Sequence, residues 1–197
     1  SIITLWIKII VACIPAAIVG VLFDDVLDAL FYNYTCVSIA LIVFGIAFIF
    51  IENWNKGKIP KINSLKELDY RTVMLIGVFQ LIAAIFPGTS RSGATIVGAL
   101  LLGVSRTVAA EFTFFLAIPV MFGASLLKIV KFAVSGIAIS GMEVIILLVG
   151  MLVAFLVSVF VIRFLMGYIK KHDFKVFGWY RIVLGILVLV YFFTREI

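Results

Sequence analysis

The chain has 197 residues, of which 65% are hydrophobic types and 13% charged, and its mean hydropathy is +1.31. A soluble domain of this size needs a largely polar surface, and 16 basic plus 10 acidic residues cannot cover one. The composition excludes a soluble globular domain. The formal net charge of +6 does not call for nucleic acid, because the basic residues cluster in short loops between apolar runs. The positive-inside rule accounts for them there, with anionic headgroups as a second role. Cys13 and Cys36 lie in or beside apolar runs, form no CxxC pair, and stand with a single His, so the usual zinc patterns are absent. They read as buried thiols, and spacing alone leaves a disulfide open.

In chain order, the first apolar run covers about residues 5–23, long enough for roughly 30 Å of hydrocarbon. Pro15 lies inside it and is expected to kink it. Asp24, Asp25 and Asp28 follow as a solvated acidic edge. The second run covers about 35–51. The loop after it is the most polar stretch of the chain, with Lys56, Lys58, Lys61, Lys66 and Arg71 against Glu52, Glu67 and Asp69. Gly57 and Pro60 argue for irregular structure, and Trp54 and Tyr70 look like interfacial anchors.

The segment 72–104 is different. It holds two apolar runs, each too short to span comfortably, separated by Pro87-Gly88 and TSRSG. Two short helices meeting at a polar break are the pattern of a re-entrant hairpin, since irregular backbone at membrane depth needs protein or a wet cavity around it. A kinked helix pair joined by a surface loop is the bland alternative. Further spans are expected at about 108–127, 142–164 and 177–193. The chain thus reads as an all-α, polytopic integral membrane protein forming one transmembrane domain, residues 1–197. Placing the loop 52–71 in the cytoplasm puts most basic residues on that side.

The chemistry is concentrated in PGTSRSGAT, Pro87 to Thr95. Arg91 lies between two apolar helices, where a charge is costly and functional by default. Gly88 and Gly93 free the backbone to turn. Thr89, Ser90, Ser92 and Thr95 add hydroxyls. The second helix is expected to begin at about Gly93 or Ala94, aiming unpaired N–H groups and a positive dipole end at the break. An arginine fork, amides and hydroxyls together read as phosphate or diphosphate recognition. The pattern is not a Walker A loop, because GxxxxGK is missing. A purely structural Arg91, capping the hairpin, is the competing reading. Glu111, in AAEFTFF, pairs with Arg91 or Arg106 or orients a ligand group. Gln80 is a polar tie across helices. Ser105 is a helix cap, and His172 a solvated loop histidine.

The run FPGTSRSGATIVGALLLGVSRTVAAEFTFFLAIPVMFGA, Phe86 to Ala124, resembles the undecaprenyl-diphosphatase family, the bacitracin-resistance membrane phosphatases. The flanking helices agree with it over the whole chain. The resemblance implies hydrolysis of undecaprenyl diphosphate to the monophosphate and inorganic phosphate, which recycles the lipid carrier of cell-wall synthesis. It implies six spanning helices and two re-entrant hairpins in inverted repeats, a bacterial inner-membrane location, and an active site toward the outer side. By the same resemblance Arg91 binds the diphosphate, flanked by Ser90 and Ser92 as catalytic hydroxyls. Gly88, Thr89, Gly93, Thr95, Glu111 and Gln80 are candidate substrate contacts. A divalent cation, Mg or Ca, is implied only by the resemblance. The family's N-terminal hairpin, with its Glu-rich motif, serine and histidine, has no match here, so the chain is expected to correspond to the last two thirds of a family member. A transporter or flippase for an anionic prenyl lipid, and an inactive fragment, are the alternatives. A homodimer is left open.

Overall fold

The computed structural model describes residues 2–136 and 139–195, without the side chains of Asp24 and Asp28. The expected acidic edge therefore lies partly outside the described residues. Seven helices follow one another: α1 (Ile2–Phe31), α2 (Tyr34–Trp54), α3 (Tyr70–Ile85), α4 (Arg91–Leu101), α5 (Arg106–Val134), α6 (Gly141–Ile169) and α7 (Lys175–Arg195). Five of them carry stretches long and apolar enough to cross a membrane: Ile2–Phe23, Tyr34–Trp54, Arg106–Val134, Gly141–Ile169 and Lys175–Arg195. A backbone without water must satisfy its own hydrogen bonds, and helices do so within each segment. The protein is all-α and polytopic.

Side-chain caps set several of the starts. Asn33 Oδ1 accepts from Cys36 N (2.9 Å) at α2, and Asp69 Oδ1 accepts from Thr72 N (2.8 Å) at α3. Ser140 and Glu143 form a reciprocal capping box at α6. The apolar stretch of α1 ends at Phe23, as the sequence suggests, and the helix itself continues to Phe31, since no Gly, Pro or cap intervenes to stop it. One boundary differs from the sequence reading. Helix α4 begins at Arg91, not at Gly93 or Ala94, because Ser90 takes the cap position.

Two compact units divide the chain: Ser1–Pro119 with Asp173–Ile197, and Val120–His172. In the first, α1 packs on α3, α2 on α7, and α4 on α3 and α2. The α2–α7 contact is backbone against backbone. A Cβ on Gly45 would lie 2.7 Å from the Gly178 carbonyl oxygen, and a Cβ on Gly178 would lie 2.7 Å from that of Gly45. Only glycine permits this approach.

The loop between α2 and α3 forms the foot of this unit. Lys61 N–H donates to the Gly103 carbonyl (2.8 Å) and Ser105 N–H to that of Ile62 (2.9 Å). Asn55 Nδ2 donates to the Leu100 carbonyl (3.1 Å). Thus α3 departs from this loop and α4 returns to it. Beneath it, buried Lys8 of α1 donates to the Leu68 carbonyl. Glu52, 2% exposed, accepts both Nε and Nη2 of Arg106 and also the Phe174 N–H (3.1 Å). One carboxylate joins the end of α2, the start of α5 and the approach to α7.

The second unit holds the later part of α5 together with α6. Every side chain of α6 from residue 141 to 164 is exposed, and nearly all are apolar. A helix apolar all round belongs in lipid or against another apolar helix. The thiols of Cys13 and Cys36 are free.

Replacing Glu52 by Ala strands the Arg106 guanidinium and the Phe174 amide. The expected cost is about 3 kcal/mol, at the low end for a broken buried pair because Arg106 is partly open to solvent. Thermal unfolding of the detergent-solubilised protein reads it, and an unchanged midpoint would show that the node contributes no stability.

Candidate anion site at the break between α3 and α4

The chain leaves α3 at Phe86 and turns through Pro87, Gly88 and Thr89. Gly88 has φ +93, which an L side chain avoids, and a Cβ there would meet the Val37 carbonyl oxygen at 2.5 Å. Val37 lies in the first turn of α2, and the Phe86 ring packs edge-on against Phe31 at the end of α1 (5.0 Å). The tip of the break therefore sits beside the α1–α2 turn. From there to the foot loop is most of the length of α2, roughly 25 Å at 1.5 Å per residue.

Ser90 is the turning point. Its φ of 63 is the single positive value at a non-glycine among the described residues, a strained conformation held by its surroundings. Its Oγ accepts from Gly93 N (3.3 Å) and lies 3.2 Å from Ser92 Oγ. Its carbonyl accepts from Ala94 N (3.0 Å). The amides of Arg91 and Ser92 are left without an acceptor among the described residues. Free amides at a helix start attract anions.

The two guanidiniums near the break have opposite duties. Arg91 is half-buried and makes no hydrogen bond or ion pair among the described residues. Arg181 of α7 is also half-buried, but occupied: Nη1 donates to the Thr89 carbonyl (2.9 Å). Its guanidinium lies 5.5 Å from the Phe48 ring centre, a cation–π arrangement. Its Nη2 is 3.2 Å from where a Cβ on Gly93 would stand, so Gly93 makes room for this arginine.

Other expected residues are placed as follows. Thr89 is fully buried, and its Oγ1 has no hydrogen-bond partner among the described residues. Thr95 turns inward, with its Oγ1 2.9 Å from Thr113 Oγ1 of α5 and 3.1 Å from the carbonyls of Arg91 and Ser92. It ties α4 to α5. Gln80 is 1% exposed, and neither of its amide atoms has a hydrogen-bond partner among the described residues, so the expected cross-helix tie is not formed among them. Glu111 is half-buried on α5 and pairs with neither Arg91 nor Arg106, the latter being held by Glu52. His172 stacks on Tyr168 (4.3 Å) next to the foot of α6. Sequence analysis does not single out Arg181. The available signal was a lone cation inside the apolar run of α7.

Among the described residues no three His, Cys, Asp or Glu side chains converge. The charged groups at the break are guanidiniums, which repel cations. These residues alone would not hold the divalent cation that the family resemblance implies, and the chemistry below uses none.

The sequence model of bacitracin resistance protein BacA matches residues 1–187. This chain belongs to the BacA family. It is 68% identical over 195 residues to an undecaprenyl-diphosphatase of Desulfitobacterium hafniense, covering 99% of this chain and 69% of the relative. Identity to undecaprenyl-diphosphatase 1 of Clostridium acetobutylicum is 69% over 192 residues, covering 98% and 69%. An Enterococcus faecalis undecaprenyl-diphosphatase is 58% identical over 187 residues, covering 95% and 67%. BacA membership and the five apolar helices make this a multi-pass protein of the bacterial inner membrane.

For this BacA-family chain, Arg181→Met should lower stability by about 2 kcal/mol, the value of a hydrogen bond to a charged donor. Arg91→Met should leave it unchanged or raised, since its guanidinium holds nothing in place. Paired thermal melts check this, and equal losses would show Arg91 to be a structural cap.

Proposed function

We propose that the chain hydrolyses undecaprenyl diphosphate to undecaprenyl phosphate and inorganic phosphate, and that the break between α3 and α4 grips the diphosphate. The reading is carried by Arg91, a half-buried guanidinium with no protein partner among the described residues, set beside two free amides at the start of α4. The names of relatives 68% and 69% identical over nearly the whole chain support the substrate.

In this reading α3 and α4 form a re-entrant hairpin whose two ends stay at the foot loop. The prenyl tail remains in lipid while the headgroup enters the break. Arg91 binds two phosphoryl oxygens through parallel charge-assisted hydrogen bonds. The Arg91 and Ser92 amides and the dipole of α4 take further negative charge. Ser90 and Ser92 donate their hydroxyls, and Gly93 keeps the backbone close. As the terminal P–O bridge breaks, the departing lipid monophosphate keeps the bridging oxygen, and the attacking oxygen adds to the terminal phosphorus. Charge grows on oxygens that these donors already face, so they stabilise the transition state more than the ground state. The attacking oxygen comes from water or from a hydroxyl of the Ser90–Ser92 pair. In the second case water then releases the phosphate and restores the serine.

The tip of the break lies beside the α1–α2 turn, far from the lysine-rich foot loop. With the lysines in the cytoplasm, the headgroup is reached from the outer face, where hydrolysis recycles spent carrier during wall synthesis.

Arg91→Ala should cut phosphate release from undecaprenyl diphosphate about a thousandfold, and Arg91→Lys should restore little of it, because an ammonium lacks the fork. Retained turnover in a folded Arg91→Ala variant would remove the proposed role. In a cysteine-free background, Ser92→Cys should react with a membrane-impermeant maleimide added outside sealed cells. Labelling only in inverted vesicles would place the access path on the cytoplasmic side.

A further inference from the structure

The foot loop carries more cationic charge than its own structure uses. Lys56, Lys58, Lys61, Lys66 and Arg71 are all exposed. None has an ion-pair partner among the described residues. The acidic groups nearby are engaged. Glu67 accepts Asn63 N–H (2.8 Å) and the Ser64 hydroxyl (3.0 Å), which hold its carboxyl below the usual carboxylate range. Asp69 caps α3, and Glu52 is taken by Arg106 and Phe174.

Apolar side chains stand among these cations. Ile59, between Lys58 and Lys61, is 89% exposed, Trp54 56% and Tyr70 49%. Lys58 Nζ sits 3.8 Å from the Trp54 ring centre. A loop that merely faced water would have no use for a bare isoleucine at its most open point. The backbone here is not slack: Asn55, Lys61 and Ile62 are bonded to the segment Leu100–Ser105, and Asn63 Nδ2 donates to the Pro60 carbonyl (3.1 Å). Charges, aromatic rings and an aliphatic wedge are thus presented on a fixed frame where α2 ends and α3 begins. Anionic headgroups over acyl chains are the chemistry that matches all three.

We propose that the segment from Trp54 to Arg71 is a docking surface for anionic phospholipid, its lysines contacting headgroup phosphates and Ile59 and Trp54 entering the acyl boundary. The surface is distinct from the break and independent of the hydrolytic reading. Because the loop holds both ends of the α3–α4 pair, lipid bound there also steadies that pair.

The test uses the full protein in zwitterionic detergent micelles, titrated with phosphatidylglycerol brominated on its chains. The Trp54→Phe variant is run alongside to isolate the Trp54 signal. Quenching of Trp54 should be saturable, stronger than with brominated phosphatidylcholine, and weakened by salt. Each Lys→Gln change among Lys56, Lys58, Lys61 and Lys66 should weaken it about fivefold. The Lys128→Gln variant, which removes charge elsewhere, should not. Ile59→Asn, which leaves the charges in place, should reduce quenching without removing the salt dependence. Equal quenching by both lipids, or an unaltered curve in the Lys56/Lys58/Lys61/Lys66 quadruple variant, would overturn the proposal. Displacement by soluble glycerol phosphate at equal concentration would also overturn it, by showing a free-phosphate site in place of a lipid surface.

Discussion

The hydrogen bond from Arg181 to the carbonyl of Thr89 is the contact on which the site depends. Where a helix stops, its carbonyls and amides lose their intrahelical partners. An arginine from α7 supplies the missing donor, with its charge set against the Phe48 ring and its bulk accommodated by Gly93. With Thr89 fixed, Ser90 can hold a backbone conformation that non-glycine residues avoid, and its hydroxyl becomes the cap of α4. The amides of Arg91 and Ser92 are then free for a ligand, and Arg91 is not needed to hold the turn. In the proposed reading, stability and anion recognition are divided between two arginines of the same chemical type.

A second constraint acts at the other end of the pair. Glu52 is almost wholly enclosed, and a carboxylate there is tolerable only because three N–H donors meet it. Their sources lie far apart in the sequence, so the carboxylate converts a costly burial into a register for α2, α5 and α7. The backbone bonds between residues 61–62 and 103–105 do similar work for α3 and α4. The break is thus suspended from a foot joined by polar contacts, while its tip packs on glycine-permitted backbone and on Phe31.

The membrane class, the apolar helices and the break were all legible in the sequence, because length and apolarity are local properties. The motif around Arg91 was equally plain, since a cation between two short apolar runs has few explanations. The polar contacts between distant segments were not. Nothing local to Glu52 names Arg106 and Phe174, and nothing in AAEFTFF tells that Glu111 would be left out of that pair. The start of α4 lies two or three residues before the expected one because a serine was not expected at positive φ. Arg181 was visible as a charge in an apolar run, yet its task depends on a carbonyl 92 positions away, which only the fold supplies.

The glycine contacts between α2 and α7 bear on how the site meets membranes of different thickness. Gly178 precedes Arg181 by three residues, Gly185 follows it by four, and both lie against the backbone of α2. At these points backbone meets backbone, with Ile42 and Ile49 packed alongside, so the two helices are geared together. A thinner or thicker bilayer tilts them as one body, so the depth of the guanidinium is measured from the break it serves and not from the lipid surface.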